Sequence, residues 1–135
     1  MKTKILEEIK KHNICVLATC ANKKPEAAVV AFVVDDNFIF YVATSKYYRK
    51  YKNLIKNKNV SLVIGFEIPT IQIDGVAEFL DEKEKKLIRP FMIEKIPEAE
   101  DFFVAKESVF IRIKPKYLKI TDYVRGNYKI NEVKF

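Results

Sequence analysis

The sequence predicts a mostly β protein, an antiparallel β-barrel with a few helices, and three features carry that expectation. Three runs rich in β-branched and aromatic residues, 14–20 (ICVLATC), Glu26–Val34 and Phe38–Ala43 (FIFYVA), follow one another with only short turns between them. Connections that short make neighbouring strands antiparallel, and runs apolar on both faces belong to strands covered on both sides. From Thr70 to Leu80 the pattern alternates instead: Ile71, Ile73, Ala77 and Phe79 take one face and Gln72, Asp74 and Glu78 the other, as in a half-solvated strand.

The other elements follow in order. Residues 3–12 predict an amphipathic helix, with Thr3 as cap and Ile5, Leu6 and Ile9 on one stripe. The segment ANKKP turns the first strand into the second, and Asp35, Asp36 and Asn37 turn the second into the third. Thr44 and Ser45 are expected to open a second helix, with Tyr48, Tyr51, Leu54 and Ile55 on its buried side and an end near Asn57 to Asn59. Val60–Phe66 returns to strand. Asp81 caps a third helix, DEKEKKLIRPF, which Pro90 is expected to interrupt. Ser108–Tyr117 holds the last expected strand, with Val109, Ile111 and Ile113 in alternation, and the tail from Asp122 to Phe135 has aromatic residues without a period.

Composition narrows the function classes. The 135 residues suit one domain spanning the chain, and 49% hydrophobic with 32% charged residues is the balance of a folded globular protein. The longest apolar run, Ala27–Val34, is far short of the roughly 20 residues of a membrane helix, and the charged N-terminus has no secretory pattern, so the expected address is the cytoplasm. Cys15 and Cys20 are five apart on one strand, so they point to opposite faces and do not pair. With His12 as the only histidine and no CxxC or HxxxH spacing, no metal site is expected.

The chain carries a net charge of +7, and the charge is concentrated: no acidic residue falls between Asp36 and Glu67, whereas Lys46, Arg49, Lys50, Lys52, Lys56 and Lys58 do. Cations at a helix start face a partial positive charge and unpaired N–H groups, at a cost of about 0.3–1 kcal/mol each unless an anion is present. A phosphate reverses that sign, and hydroxyls, free backbone donors and adjacent cations are the parts of a phosphate cradle. Two other readings stand beside this one. In one the cations simply coat a solvated helix; in the other, interleaved with Tyr47, Tyr48 and Tyr51, they form a stacking surface for single-stranded nucleic acid. Burial of Tyr48 and Tyr51 beside Leu54 and Ile55 would argue against the last.

From about residue 5 to 80 the order and spacing of the pieces resemble the FMN-binding split-barrel proteins related to pyridoxamine 5'-phosphate oxidase. The pieces are an N-terminal helix, ICVLATC, a turn ending in KKP, EAAVVAFVV, FIFYVATS, the basic run RKYKNL, Asn57, VSL and the alternating IQIDGVAEF. The resemblance implies a six-stranded antiparallel split barrel and a homodimer with two FMN sites at the subunit interface. By position, Arg49 and Lys50 match the family's basic pair at the flavin phosphate, and Thr44 or Ser45 its hydroxyl donor. Val29, Val30 and Ala31 match the strand whose backbone lies along the isoalloxazine ring. Thr70 falls where the partner subunit contacts the flavin, and Tyr41 is either a neighbour of the ribityl chain or an aromatic of the barrel wall.

Two departures qualify the resemblance. Many relatives carry an arginine on the strand that here reads EAAVVAF, where this chain has Glu26 and then apolar residues. A true pyridoxamine phosphate oxidase also has a C-terminal tryptophan and an arginine-histidine pair, whereas this chain has no Trp and no His after residue 12; that exact activity is not expected. The resemblance implies a flavin-dependent oxidoreductase or flavin reductase acting on a small-molecule redox substrate, or a flavin-storing protein without turnover. FMN is the expected cofactor, with deazaflavin and FAD as alternatives; a haem would have only His12 as an imidazole ligand. No catalytic acid, base or nucleophile can be named, since a flavin supplies the redox chemistry itself.

Overall fold

The structure, a computed structural model, describes residues 1–135. Helix α1 (Lys2–Lys10) leads into β1 (Ile14–Ala21), β2 (Lys24–Val34) and β3 (Phe40–Ser45); α2 (Arg49–Lys56) follows, then β4 (Asn59–Ile64) and β5 (Thr70–Phe79). Helix α3 (Glu82–Lys95), a 3-10 turn at Pro97–Ala99 and α4 (Glu100–Val104) precede β6 (Ser108–Val124) and β7 (Asn127–Lys134). All strand pairs are antiparallel, in the order β3-β2-β1-β4-β5-β6-β7, and β3 also pairs with β6. Six strands therefore close a ring, as the resemblance implies, and β7 is a seventh that extends it.

Local chemistry accounts for the connections. Between β1 and β2 the turn is only Asn22 and Lys23, both at positive φ (54° and 62°), which is what a two-residue hairpin requires. The second strand therefore starts at Lys24, two residues before the expected Glu26. The carboxylate of Asp35 accepts from the N–H groups of Asn37 (2.8 Å) and Ile39 (3.0 Å), which draws Phe38 and Ile39 into the turn and delays β3 to Phe40.

The interior cluster takes alternate residues from every strand, including Leu17, Phe32, Phe40, Leu62, Ile73 and Ile111. Ile5 and Ile9 of α1 and Leu54 of α2 join it, so a helix closes each end of the barrel. A second cluster lies outside, where Tyr41 and Ala43 of β3 and Phe110 of β6 are covered by Met92, Ile96 and Phe103 of the α3–α4 layer. Helix α3 runs through Pro90 rather than stopping there. Its Asp81–Glu84 capping box holds one end and the buried Met92 the other, so packing outweighs the bond that proline omits.

Strand β6 runs to Val124, well past the expected Tyr117. Pairing with β5 shifts at one point: Gly75 faces Pro115 and Asp74 faces Tyr117, leaving Lys116 as the extra residue of a bulge. Before it, Ile111 and Ile113 point inward; after it, Leu118 does. The alternation therefore changes phase without ending. Phe135 N–H donates to the Lys116 carbonyl (3.0 Å), which ties the chain end to the bulge.

Gly75 is fitted to this bulge. A Cβ there would lie 2.7 Å from the Lys114 carbonyl oxygen and 3.0 Å from Ile113 Cγ2. Gly75→Ala is expected to lower stability by about 1–3 kcal/mol, the range for overpacking. Gly126→Ala, at φ +83° but in open space, should cost about 1 kcal/mol, the left-handed strain being offset in part by the lower entropy of the unfolded chain. Urea unfolding of both variants checks the ordering.

Candidate functional site

The site begins as a gap in the sheet. β2 and β3 pair only over Phe32–Val34 with Phe40–Val42, so Lys24–Ala31 of β2 have β1 on one side and no strand on the other. Ala43–Ser45 of β3 have only β6. Backbone groups along the free edge of β2 lack ladder partners and are open to solvent or a ligand. Helix α2 packs beside this split against β1 and β3; its Leu54 is buried, and Asn53 Nδ2 donates to Thr19 Oγ1 at 3.1 Å.

The start of α2 differs from expectation in one respect. Thr44 and Ser45 are the last residues of β3, held extended opposite Val109 and Ser108 of β6, and the helix N-cap is Tyr48, with no side-chain cap bond. Ser45 Oγ instead accepts from the N–H of Tyr47 at 3.2 Å. The first-turn N–H groups are left without a side-chain acceptor, and Arg49 and Lys50 occupy the first two helical positions. Lys50 Nζ sits over the Tyr48 ring, 4.7 Å from its centroid.

Arg49 is answered by a residue of β2: its Nε donates to Glu26 Oε2 across the split. A cleft of about 150 Å³ between the β1–β2 turn and α2 carries four cations, Lys24, Arg49, Lys52 and Lys56, against that one carboxylate. Sequence reasoning missed this pairing, since 23 residues separate the partners. The available signal was Glu26 itself, a lone charge opening an otherwise apolar run.

The other expected residues divide into two groups. Val29, exposed, Val30, buried, and Ala31, half-buried, lie on the free edge of β2. Thr44 is buried at the end of β3, and its Oγ1 has no hydrogen-bond partner. Tyr41 lies away from the split: it is buried under α3 and α4, opposite Arg112 in the β3–β6 ladder. The Arg112 guanidinium bonds Glu78 and Glu84 and holds both carboxyls below the usual range. Thr70 starts β5, with β1 and β4 between it and β2, and donates to the Glu67 carbonyl (3.0 Å). Within one chain it does not reach the split.

Two further placements bear on the sequence reading. Tyr48 and Ile55 are exposed rather than on the buried side of α2, because only Leu54 of that stripe turns fully into the barrel. Tyr48 is therefore open to stacking, whereas Tyr51 packs on Phe79 with 5.4 Å between ring centroids. Cys15 and Cys20 are free and on opposite faces; Cys15 is sealed in the barrel, where burial pushes its thiol up to about 12, so it is inert near neutral pH.

A ring of six strands opened between β2 and β3, with a basic, uncapped helix start set in the opening, is a split β-barrel. A family model described as pyridoxamine 5'-phosphate oxidase matches residues 1–122, and the chain belongs to that family. Its fold is similar to that of General Stress Protein 26 from Bacillus anthracis (23% identity, 97% of this chain and 98% of that one, TM-score 0.73). It is also similar to a FAD-binding protein from Mesorhizobium loti (18%, 87% and 90%, TM-score 0.72) and to HutZ, the haem storage protein of Vibrio cholerae (21%, 84% and 89%, TM-score 0.73). No curated protein matches the sequence. No helix is long and apolar enough to cross a membrane.

The orphaned Thr44 hydroxyl generates a prediction. A buried hydroxyl without a partner costs about 1–3 kcal/mol, and valine keeps its shape and strand preference. Thr44→Val is expected to stabilise the ligand-free protein by about 1 kcal/mol in urea unfolding. A loss of stability would mean that the hydroxyl is satisfied in solution.

Proposed function

We propose that the chain binds FMN in the split and serves as a flavin-dependent oxidoreductase or flavin reductase acting on a small molecule. The observation that carries this reading is the free edge of β2 lying beside the uncapped, basic start of α2. Thr44, Arg49, Lys50 and the first-turn N–H groups form a donor set suited to a phosphate monoester, and the free backbone groups of Val29–Ala31 suit the hydrogen-bonding edge of a flavin ring. Bound there, the flavin would supply hydride and electron transfer, leaving the protein to bind, orient and shield it. Flavin storage without turnover uses the same residues and differs only in that no substrate oxidises or reduces the bound group.

The reading includes a homodimer. On their outer face β1 and β2 present Ile14, Val16, Ala18, Ala27, Val29 and Ala31 with no charge among them, and Val63 of β4 continues the patch. Helix α3 reaches only the Ala31 end of this surface, whereas the outer face of β3 is already buried under α3 and α4. A second copy on the β1–β2 face would shield the patch and bring its own Thr70 toward the split. Sedimentation should give a dimer at micromolar concentration and a monomer for Val16→Lys; a monomeric parent would overturn the dimer.

Charge-assisted contacts to phosphate are worth roughly 1.5–3 kcal/mol each, so Arg49→Ala/Lys50→Ala should weaken FMN binding by about two to four orders of magnitude. Lys83→Ala/Lys86→Ala on α3 should leave it within about twofold. Quenching of flavin fluorescence measures both. Equal, modest losses would reduce the site to general electrostatics. Exposed Tyr47 and Tyr48, each with a lysine over its ring, favour a second reading as a single-strand nucleic-acid surface. Salt-sensitive oligonucleotide binding without flavin binding would select it.

A further inference from the structure

We infer that Glu26 sets how strongly the site discriminates phosphorylated from unphosphorylated ligands, by holding Arg49 when no phosphate is present. The inference rests on the reading of Arg49 and Lys50 as phosphate ligands, and it concerns a residue to which that reading gives no role. Glu26 lies on the barrel-facing side of β2, opposite Thr19, its side chain 11% exposed against 79% for that of Arg49. A carboxylate so withdrawn from water needs a cation, and Arg49 is the one it contacts. β2 delivers Glu26 and α2 delivers Arg49, and both line the same cleft.

The consequence for a ligand follows from charge. A phosphate that engages Arg49 binds the Nη groups that Glu26 leaves free or displaces Glu26 from Nε, and in either case it lies close to that carboxylate. Lys24, Lys52 and Lys56, which line the same cleft, offset that repulsion only in part because they are solvated lysines on flexible stems. A ligand without a phosphate leaves the Glu26–Arg49 pair intact and bears neither cost. Glu26 is thus a positioning and specificity residue acting through Arg49, and it narrows the gap in affinity between FMN and riboflavin.

The test compares the parent, Glu26→Gln, Arg49→Ala and the double variant for binding of FMN and riboflavin, together with the rise in melting midpoint caused by inorganic phosphate. Glu26→Gln should tighten FMN by about 5- to 150-fold, the usual span of coupling between two sites, while riboflavin stays within about twofold. Inorganic phosphate should raise its melting midpoint more than that of the parent. Both gains should vanish when Arg49 is also absent. If Glu26→Gln weakens FMN, or leaves the ratio of FMN to riboflavin unchanged, Glu26 orients Arg49 toward the ligand and the inference is overturned. If no form binds either flavin, the flavin reading fails and the phosphate comparison alone decides: a larger shift in Glu26→Gln supports the inference, equal shifts overturn it. Should Glu26→Gln not fold, Glu26→Asp, which withdraws the carboxylate by one methylene, must give the same order at smaller amplitude.

Discussion

The barrel depends on one long strand that serves two ladders in succession. Ser108–Ile113 of β6 pair with β3 and close the ring, while Tyr117–Val124 pair with β7, and β5 runs along the other edge of both halves. The bulge at Lys116 makes this possible. It bends the strand and inverts its facing, so that Ile111 and Ile113 fill the core before it and Leu118 after it. Without the first half, β3 would lose the partner it keeps over its whole length, since β2 accompanies it for only three residues.

That short β2–β3 ladder is what creates a site. A fully paired barrel has no free edge and little reason to present polar backbone to a ligand. Here the two strands part, β2 keeps a run of unpaired N–H and C=O groups, and α2 is drawn in beside the gap by Leu54 and by the Asn53–Thr19 bond. Because β6 holds Thr44 and Ser45 in strand geometry, neither can cap α2, and the helix starts uncapped with two cations on it. Fold and electrostatics thus have a common origin: the closure that stabilises the barrel also leaves the helix start unsatisfied.

Much of this was legible in the sequence because it is local. The β1–β2–β3 meander follows from apolar runs and short turns, and the Asp81 cap from its position before Glu84. What was not legible lies where tertiary structure overrides a local rule or a period slips. Pro90 stays inside α3 because Met92 and the capping box hold the helix on either side. The end of β6 was hidden because one bulge residue reversed its alternation, and β7 because it is exposed over nearly its whole length and carries no apolar period. Thr44 and Ser45 look like caps in sequence, and only pairing with β6 makes them strand. That Arg49 and Lys50 fall at a helix start was legible from the local sequence, whereas Glu26 as partner of Arg49 required the three-dimensional juxtaposition of β2 and α2. The face that Tyr41 takes, open in the sequence between a ligand neighbour and a barrel-wall aromatic, depends likewise on α3 and α4, which lie far along the chain.

In the function proposed above, the split of the barrel receives a flavin phosphate at the start of α2. Titration of the purified protein with FMN, followed by visible absorbance and by the flavin retained after gel filtration, tests it most directly. Saturable binding of one FMN per chain, with a resolved and shifted flavin spectrum, is the result the account predicts. An unshifted spectrum, with all the flavin eluting free of the protein, would contradict it.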